Sequence, residues 1–294
     1  MRFSVILVNY DSWYFTLEAL ESLRATGYGG FEAIVVDNDT RPVPKLPEGV
    51  RLLRNHRNLG FARACNRGIS ASRGEHVVLL NPDSLVSRNF FEQVERFLAE
   101  NPQVGIAGPK IVETDGSIQR SARRELGPLA GIAGRTSLVA RLFPKSRLAR
   151  SQFLFAEELP EPAPADWVSG ACMVLRRKML DEIGPLDERF FMYFEDADIC
   201  KRAWQHGWEV RYLPHVEVLH HTGGSSRNRI GAILRFHKNA FLYHRKHGPY
   251  GPLHLYTALT AAGLAARTLA KLAGLPAGRL RDLCRKRRPN RSGR

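Results

Sequence analysis

Three short apolar runs without alternation of apolar and polar residues constrain the fold of this chain most strongly. They occupy residues 4–8, 33–36 and 76–80. Strands covered on both faces have this composition, whereas strands with one face in water alternate with a period of two. Amphipathic stretches at residues 13–25 and 62–72 separate the runs and are predicted to be helices. This order predicts an α/β fold with a mostly parallel central sheet flanked by helices, beginning with a Rossmann-like half.

The net charge and its distribution indicate an anionic partner. The 294 residues include 44 Lys and Arg against 29 Asp and Glu, which gives a net charge of +15. Residues 276–294 contain eight of the basic residues and one acid, so this C-terminal tail contributes +7. Such a balance favours nucleic acid, a phosphorylated substrate or the surface of an acidic bilayer.

An apolar segment at residues 253–275 precedes the basic tail. It is rich in Ala but contains Arg267 and Lys271, which makes it too charged at its end for a membrane span. An interfacial amphipathic helix followed by a polybasic tail fits the pattern better, and it predicts peripheral binding to an anionic membrane surface. The alternative is an ordinary core helix followed by a solvated run of charge.

Two further features bear on the compartment. The N-terminal apolar run is too short for a signal peptide, because Asn9 and Asp11 end it. The four cysteines are scattered without a CxxC pair, which is typical of reduced thiols in a reducing compartment. With the basic tail, these features predict a cytoplasmic protein at the inner face of the cell membrane.

Polar residues follow each of the three predicted strands. They are Asn9-Tyr10, Asp37-Asn38-Asp39 and Asn81-Pro82-Asp83. Asn and Asp are common turn residues, but parallel strands end at one edge of a sheet, where ligands bind. Tyr10 is suited to stack on a nucleotide base, and Asp37 to accept a hydrogen bond from a pyrimidine N–H. Asp83 supplies the hard oxygen ligand that a divalent cation beside a diphosphate prefers. The strand ends therefore predict a nucleotide site.

The ordered series of these motifs resembles a known family. The series is Val8-Asn9-Tyr10, Val35-Val36-Asp37-Asn38, residues 58–68 (NLGFARACNRG), Leu79-Leu80-Asn81-Pro82-Asp83, residues 166–172 (DWVSGAC), residues 190–198 (FFMYFEDAD) and residues 220–225 (HHTGGS). It resembles glycosyltransferase family 2, which has the GT-A fold, and in particular the branch that contains bacterial rhamnosyltransferases. The resemblance runs from about residue 3 to residue 226.

The resemblance implies a metal site for Mg²⁺ or Mn²⁺. Asn81-Pro82-Asp83 occupies the place of the family's DxD motif, with Asn81 instead of the first acid, as in the rhamnosyltransferase-like branch. Direct ligation of the metal is therefore assigned to Asp83, and Asn81 is assigned to donor binding. His220 opens the H-x-x-G-x-S pattern and would be the second ligand, although His221 fits the same pattern shifted by one residue. A histidine that merely ends a strand is the structural alternative.

The resemblance assigns the catalytic base to Asp196, the Asp of the family's E-D motif. An acceptor hydroxyl has a pKa far above neutrality, so a carboxylate must take its proton during attack on the anomeric carbon. The alternative is structural, because Glu195, Asp196 and Asp198 at a helix start would favourably meet the helix dipole. The preceding aromatic run at residues 190–194 favours catalysis, since acids beside it would be desolvated.

Further donor and acceptor contacts follow the same resemblance. Arg63 and Asn66 lie on the predicted helix after residue 60 and would help to bind the donor, with a solvated arginine as the alternative. Trp167, Gly170 and Glu195 would line the sugar and acceptor pocket, where apolar faces of carbohydrates pack on aromatic rings. A core tryptophan is the competing interpretation of Trp167.

The resulting hypothesis is an inverting glycosyltransferase that moves a sugar, L-rhamnose from dTDP-L-rhamnose, onto a hydroxyl of a cell-envelope glycan or a polyprenyl-diphosphate-linked acceptor. Residues 1–110 would form the nucleotide-sugar-binding half and residues 111–250 the acceptor-binding and catalytic half, with a long excursion over the active face at residues 123–164. Residues 251–294 would form a C-terminal helical extension with its basic tail.

Two other classes of protein share some of these features. A nucleotidyltransferase would usually show a Gly-rich basic phosphate loop after the first strand, which residues 9–13 do not supply. A nucleic-acid-binding protein would explain the charge. However, the basic residues concentrate in the tail without aromatic interleaving, so no nucleic acid partner is expected.

Overall fold

The computed structural model describes residues 1–38, 42–123, 159–221, 229–248 and 254–273. The chain divides into two compact units, Met1–Arg227 and Asn228–Arg294. The first unit contains the sheet and all the predicted site residues. The functional division at residues 110 and 250 stays a prediction.

The first unit alternates strands with helices. Its strands are β1 (Phe3–Asn9), β2 (Phe31–Asn38), β3 (Val50–Asn55), β4 (His76–Leu80), β5 (Ser84–Val86), β6 (Val104–Glu113), β7 (Ala122–Arg123), β8 (Ala163–Pro164), β9 (Trp167–Val168), β10 (Cys172–Arg176) and β11 (Glu209–His220). Its helices are α1 (Trp13–Ala25), α2 (Phe61–Ala71), α3 (Phe90–Glu100), α4 (Arg177–Ile183) and α5 (Glu195–Gln205). The second unit contains α6 (Arg229–His247) and α7 (Leu255–Ala273).

The described residues form a nine-stranded central sheet in the order β3-β2-β1-β4-β10-β6-β11-β5, with β8 paired to β11. The pairs β3-β2, β2-β1, β1-β4 and β6-β11 are parallel, whereas β10 runs antiparallel between β4 and β6. A separate two-stranded sheet joins β7 to β9. The predicted α/β fold with a mostly parallel sheet is therefore confirmed.

Burial explains the lack of alternation in the first strand. All seven residues of β1 are buried, because side chains on both faces of the strand pack into apolar clusters. Ile6 and Val8 pack into the cluster that includes α2, whereas Phe3, Val5 and Leu7 pack with α1 and α3. A strand covered on both faces has no water-facing positions that polar residues would fill.

Two features of the later strands contribute to the predicted site. A turn at residues 169–171 separates β9 from β10, and β11 continues to His220. The turn contributes backbone groups to the site, and the end of β11 contributes a side chain. Most of the excursion at residues 123–164 and the whole tail at residues 276–294 lie outside the described residues.

The segment predicted to be an interfacial helix is the helix α7. Within the described residues, no helix is both long and apolar enough to cross a membrane. Cys65, Cys172 and Cys200 are buried and free of disulfides.

Candidate active site

The parallel register brings the ends of β1, β2 and β4 to one edge of the sheet. Asn9 lies beside Asp37 at the ends of β1 and β2, and Leu7 lies beside Leu80 at the end of β4. The residues that follow Leu80 therefore reach the same edge. This is the edge at which open α/β sheets bind ligands.

A buried polar network joins the ends of β1 and β2. Asn9 Nδ2 donates to Asp37 Oδ1 at 2.8 Å, while the Ser12 and Thr16 hydroxyls donate to Asn9 Oδ1 at 3.1 and 2.9 Å. Asp37 is fully buried, and its Oδ2 lies 3.8 Å from Arg54 Nε. The carboxylate thus has structural partners, and its contact with a nucleotide base stays a prediction. Tyr10, in contrast, is half exposed beside this network.

A second network positions the start of α2. Asn55 Nδ2 donates to Asn38 Oδ1 at 2.7 Å, and Asn38 Nδ2 donates to the carbonyl of Gly60 at 3.2 Å. Gly60 has a φ of +87°, and a Cβ there would lie 2.6 Å from the carbonyl oxygen of Phe191. Only glycine meets both conditions without strain. The turn before α2 therefore packs directly on the aromatic run that precedes α5.

Arg63 and Asn66 bind a loop of the protein. Arg63 Nε donates to Glu188 Oε2 at 2.7 Å. Asn66 donates to the Leu186 carbonyl at 2.8 Å and accepts from the Leu186 N–H at 3.0 Å. Glu188, which the sequence analysis did not single out, joins the two side chains across more than 120 positions of sequence. Donor contacts of Arg63 and Asn66 stay predictions.

Asp83 and His220 form a close pair at the end of the sheet. His220 lies opposite Ser84 where β11 pairs with β5, and its Nε2 is 3.3 Å from Asp83 Oδ1. Asp83 Oδ1 is buried and accepts no hydrogen bond among the described residues. The ring of His221 instead lies 5.9 Å from that of Phe15. The His221 N–H donates to the Asp83 carbonyl at 2.9 Å, but of the two candidate imidazoles it is that of His220 that lies beside the Asp83 carboxylate.

The geometry of this pair fits a divalent cation. Oxygen and nitrogen ligands about 2.1 Å from a metal, at right angles, are about 3 Å apart, close to the observed separation. An unsatisfied buried carboxylate oxygen is costly unless a ligand meets it. Among the described residues, no group of three or more His, Cys, Asp or Glu side chains is arranged to hold a metal. A cation at this pair would therefore need further ligands from a substrate or water.

Asp196 lies at the first turn of α5, held by two backbone donors. The Gly170 N–H donates to its Oδ2 at 3.1 Å, and the Ala197 N–H donates to its Oδ1 at 2.8 Å. Burial raises the pKa of the Asp196 carboxyl, while these hydrogen bonds and the charge of Arg123 act in the opposite direction. A carboxylate with a raised pKa, anchored but partly exposed, is suited to accept a proton.

Glu195 differs from its neighbour in being almost completely buried. Burial and, secondly, the charge of Asp196 raise the pKa of Glu195 well above its usual range. Its Oε2 has no hydrogen-bond partner among the described residues. The two preceding residues, Tyr193 and Phe194, have φ values of +77° and +73°. Such left-handed backbone costs about 1–3 kcal/mol per residue and is typical of functional sites.

The third acid of this helix has a different environment. Asp198 is fully buried, and its Oδ2 accepts from Arg202 Nε at 2.9 Å. Arg202 also donates to the carbonyls of Ile183 and Pro185, at 2.7 and 2.6 Å, so the pair links α5 to the end of α4. Asp198 is accounted for by this structural link, whereas the helix-dipole alternative treated all three acids alike.

The turn at residues 169–171 connects the Asp83 side of the site to the Asp196 side. While the Gly170 N–H binds Asp196, the neighbouring Ala171 carbonyl accepts from the Asn81 N–H at 2.9 Å. The Ser84 hydroxyl donates to the same carbonyl at 3.3 Å. Two successive residues, Gly170 and Ala171, therefore hold the two groups of polar residues against one turn.

Trp167 lies on the adjoining small sheet. Its ring centroid is 6.0 Å from that of Phe194, and the guanidinium carbon of Arg123 lies 4.9 Å from its centroid. Trp167 Nε1 is buried and has no hydrogen-bond partner among the described residues. A purely structural role in the core does not account for Trp167, because a buried tryptophan normally has a hydrogen-bond acceptor for its N–H. No sequence motif marks Arg123, since its position beside Trp167 arises from strand pairing.

Comparison with known proteins identifies the family. The profile of the family described as "Glycosyltransferase like family 2" matches residues 1–236, which include every residue of the site. The chain belongs to this family. It is a glycosyltransferase with the GT-A fold, so the resemblance carried by the motifs is confirmed and the nucleotidyltransferase alternative loses its support.

Individual relatives agree with this assignment. The chain is 31% identical to the N-acetylglucosaminyl-diphospho-decaprenol L-rhamnosyltransferase of Mycobacterium tuberculosis over 259 residues, which are 81% of this chain and 82% of the relative. It is 26% identical to a dTDP-rhamnosyl transferase of Shigella flexneri over 229 residues, which are 72% of this chain and 70% of the relative.

A solved structure supports the fold. The mannosyltransferase from Pyrobaculum calidifontis, in complex with GDP-Man and Mn²⁺, has a TM-score of 0.57 and 17% identity, covering 97% of this chain and 79% of its own. Structural neighbours of this glycosyltransferase thus bind a divalent metal.

Proposed function

We propose that this glycosyltransferase is metal-dependent and inverting, with Asp196 as the base that deprotonates the acceptor. The turn at residues 169–171 is the observation that carries the proposal. It holds Asp196 through the Gly170 amide and the Asn81–Asp83 segment through the Ala171 carbonyl. A donor diphosphate near Asp83 and an acceptor hydroxyl near Asp196 would then meet across one short turn.

The proposed reaction is a single displacement. The acceptor oxygen attacks the anomeric carbon of the donor sugar while the bond from that carbon to the diphosphate oxygen breaks. The hydroxyl proton passes to the Asp196 carboxylate, and the nucleoside diphosphate leaves with the bonding electrons. Attack opposite to the leaving group inverts the anomeric configuration. The backbone donors of Gly170 and Ala197 would hold the carboxylate in place as it takes the proton.

Asp83 and His220 would hold Mg²⁺ or Mn²⁺. This pair fits a cation because Asp83 Oδ1 accepts no hydrogen bond among the described residues and the His220 imidazole lies beside it. When bound, such a cation neutralises the charge that develops on a diphosphate leaving group. Asn81, Tyr10 and Asp37 would complete the donor side. Tyr10 is suited to this role because it is exposed at the edge where the strands end.

The donor and acceptor are inferred from the relatives. Both named relatives are rhamnosyltransferases, and one carries dTDP-rhamnose in its name. We therefore propose dTDP-L-rhamnose as the donor and a polyprenyl-diphosphate-linked sugar as the acceptor, in the synthesis of a cell-envelope glycan. Trp167, Gly170 and Glu195 would lie on the acceptor side, beside the base.

The test is transfer by the purified chain with Mn²⁺ or Mg²⁺, offering dTDP-L-rhamnose beside UDP- and GDP-linked sugars and a lipid-diphosphate-linked acceptor. We expect transfer from dTDP-L-rhamnose, loss of activity with a chelator, and inverted configuration in the product by NMR. Failure to bind or use any nucleotide sugar would remove the proposed function, and retained configuration would exclude a single displacement.

We further propose that the chain works at an anionic membrane surface through α7. Every described position of α7 that is exposed is Leu, Ala or Gly, and these positions recur every three or four residues. Leu255, Leu259 and Leu269 are 70%, 61% and 68% exposed. The charged residues lie elsewhere: Lys271 Nζ is 5.7 Å from the Phe236 ring of α6, and burial lowers the pKa of Arg267.

This distribution is the reverse of that on an ordinary surface helix, which exposes its charged face. An acidic bilayer fits the apolar face, because the sequence that follows α7 carries the +7 of residues 276–294. One apolar helix face and an adjacent basic segment are the two signals that stable peripheral anchoring requires.

For this membrane proposal, we predict that the double substitution Leu259→Glu and Leu269→Glu lowers binding to phosphatidylglycerol vesicles at least about tenfold, since each buried leucine contributes about 1.5–3 kcal/mol. Ala99→Glu, at an exposed position of α3, is the matched control and should bind normally. Co-sedimentation measures both. Unchanged binding of the double variant, or a dimer that the double substitution dissociates in the absence of vesicles, would contradict membrane docking.

A further inference from the structure

A surface beside Asp196, on the small sheet of β7 and β9, joins the motif residue Trp167 to Arg123, which no motif marks. Arg123 is directly opposite Trp167 in this antiparallel pair, and Ala122 is opposite Val168. Residues opposite each other point to the same face. Ala122 and Val168 are buried in the core, so Arg123 and Trp167 occupy the other face, where the guanidinium lies 4.9 Å from the indole centroid.

This face adjoins the proposed base through two contacts. The Trp167 ring lies 6.0 Å from that of Phe194, two residues before Asp196. The strand β9 leads into Gly170, whose N–H binds the Asp196 carboxylate. The charge of Arg123 also acts on Asp196, lowering its pKa in opposition to burial. Arg123 therefore places a positive charge on the side of the site that is proposed to bind the acceptor.

The same face has hydrogen-bonding capacity that the described residues leave unused. Ser121 is buried, and its carbonyl accepts from the Ser169 N–H at 2.8 Å, which continues the pairing of the small sheet. Within the described part of the chain, neither Ser121 Oγ nor Trp167 Nε1 has a hydrogen-bond partner. Both atoms are suited to sugar hydroxyls, because each unsatisfied buried group is costly until a polar ligand meets it.

We propose that Arg123, stacked on Trp167, binds the phosphate group of the acceptor, and that the acceptor carries this phosphate one sugar ring away from the hydroxyl that reacts at Asp196. The inference rests on the proposed function of Asp196. Stacking fixes the plane of a guanidinium, and a fixed planar fork suits bidentate binding of phosphate oxygens. The acceptor is then a sugar linked directly to a phosphate or diphosphate, rather than an inner residue of a long neutral glycan.

The experiment compares two acceptors that share one sugar. One is an N-acetylglucosaminyl diphospho-lipid with a short chain, and the other is a neutral alkyl N-acetylglucosaminide of similar length. For the unchanged chain we expect a much lower KM with the diphospho acceptor. For Arg123→Gln we expect the KM of that acceptor to rise about tenfold to hundredfold, the value of a charge-assisted hydrogen bond, while the KM of the neutral acceptor changes little.

Two further variants separate phosphate binding from a structural role. Arg120→Gln removes the same charge at an exposed position three residues earlier and should leave both acceptors unaffected. Arg123→Lys keeps the charge but loses the planar fork, so an intermediate KM is expected. Because the charge of Arg123 also lowers the pKa of Asp196, the KM values are measured on the alkaline plateau of activity, where Asp196 is ionised in every variant. The pH profile with the neutral acceptor then shows how far each substitution shifts the pKa of the base.

The outcomes distinguish this inference from the proposed function. Equal use of the two acceptors by the unchanged chain, or an equal loss for both in Arg123→Gln, would overturn phosphate binding by Arg123 while leaving glycosyl transfer intact. Absence of donor binding and of donor hydrolysis in the unchanged chain would overturn both.

Discussion

The polar groups at the ends of β1, β2 and β3 satisfy one another, whereas two carboxylates of the site, those of Asp83 and Glu195, are incompletely satisfied among the described residues. Asn9, Asp37 and Asn38 are buried and bound within the protein at hydrogen-bond distances of 2.7–3.2 Å. Asp83 Oδ1 and Glu195 Oε2 are buried without hydrogen-bond partners among the described residues. Both regions are rich in Asn and Asp, so composition alone does not separate them.

The difference separates residues that hold the site from residues that act in it. A satisfied buried network contributes to stability and fixes the strand ends. An unsatisfied buried carboxylate oxygen lowers stability, and it is retained where a ligand or a proton completes it. Substitutions in the first region should therefore affect mainly the free energy of unfolding, and those in the second mainly activity.

The largest effect is expected for Asp196→Asn. The substitution keeps the shape of the side chain and removes its ability to take a proton, so we expect kcat to fall by about 10²–10⁴-fold with little change in donor affinity. Steady-state kinetics with saturating donor and acceptor measure the fall.

Asp198→Asn, two residues along the same helix, is the matched comparison. It leaves the largely buried Arg202 without its charge partner and should lower the free energy of unfolding by about 3–5 kcal/mol, measured by urea denaturation. Near-normal turnover in Asp196→Asn would discard the base. If Asp196→Asn lowered the free energy of unfolding as much as Asp198→Asn does, the two acids would not differ in their structural role.

A smaller effect on activity is expected for Asp83→Asn. It replaces the carboxylate ligand of the cation with a neutral amide. We expect transfer to slow roughly a hundredfold, because the cation supplies several kcal/mol of charge stabilisation in the transition state. The affinity for Mn²⁺ in the presence of dTDP, measured by calorimetry, should fall together with the rate of transfer.

Asp37→Asn provides the control from the satisfied region. It replaces the charge-assisted hydrogen bond from the Asn9 amide with a neutral one and removes the charge that faces Arg54, so the free energy of unfolding should fall by about 1–2 kcal/mol. Because Asp37 is also placed on the donor side, binding of dTDP should weaken while the cation still binds. If Asp83→Asn bound Mn²⁺ as tightly as the unchanged chain, the metal would have to lie elsewhere.

Local patterns were sufficient to predict the parallel part of the fold. The bounds of α1 and the positions of β1, β2 and β4 followed from periodicity, because both faces of these strands are buried by the helices that the sequence places between them. The strand β3 was not anticipated, since Val50–Asn55 is an edge strand with several partly exposed residues and only its last residue is buried.

The sequence supplied candidate residues for the site, but it did not supply their arrangement. The antiparallel insertion of β10 brings the turn at residues 169–171 against Asn81, and only the tertiary structure reveals this pairing. The roles of Arg123 and Glu188 depend on partners 44 and more than 120 residues away, respectively. One signal was available in the sequence: the spacing of Asp198 and Arg202 is that of an i,i+4 ion pair, which would have assigned Asp198 a structural role.

The smallest effect concerns Glu195 and appears in stability as a function of pH. Burial and the charge of Asp196 hold the pKa of the folded Glu195 well above its value in the unfolded chain. Between those two pKa values the folded state keeps a proton that the unfolded state has released. The free energy of unfolding therefore falls as the pH rises through this interval, by about 1.4 kcal/mol for each unit of difference in pKa once the interval is passed.

Glu195→Gln replaces the protonated acid with a neutral group of the same shape. We expect its stability to match that of the unchanged chain below about pH 4, where Glu195 is protonated in both states, and to exceed it increasingly toward alkaline pH, because the variant has no proton to lose at this position. Urea denaturation at a series of pH values measures the difference, which includes the effect of the Glu195 charge on the titration of Asp196 and Cys65. Parallel stability curves would mean that Glu195 is ionised in the folded protein, and the contrast between the two regions would then rest on Asp83 alone.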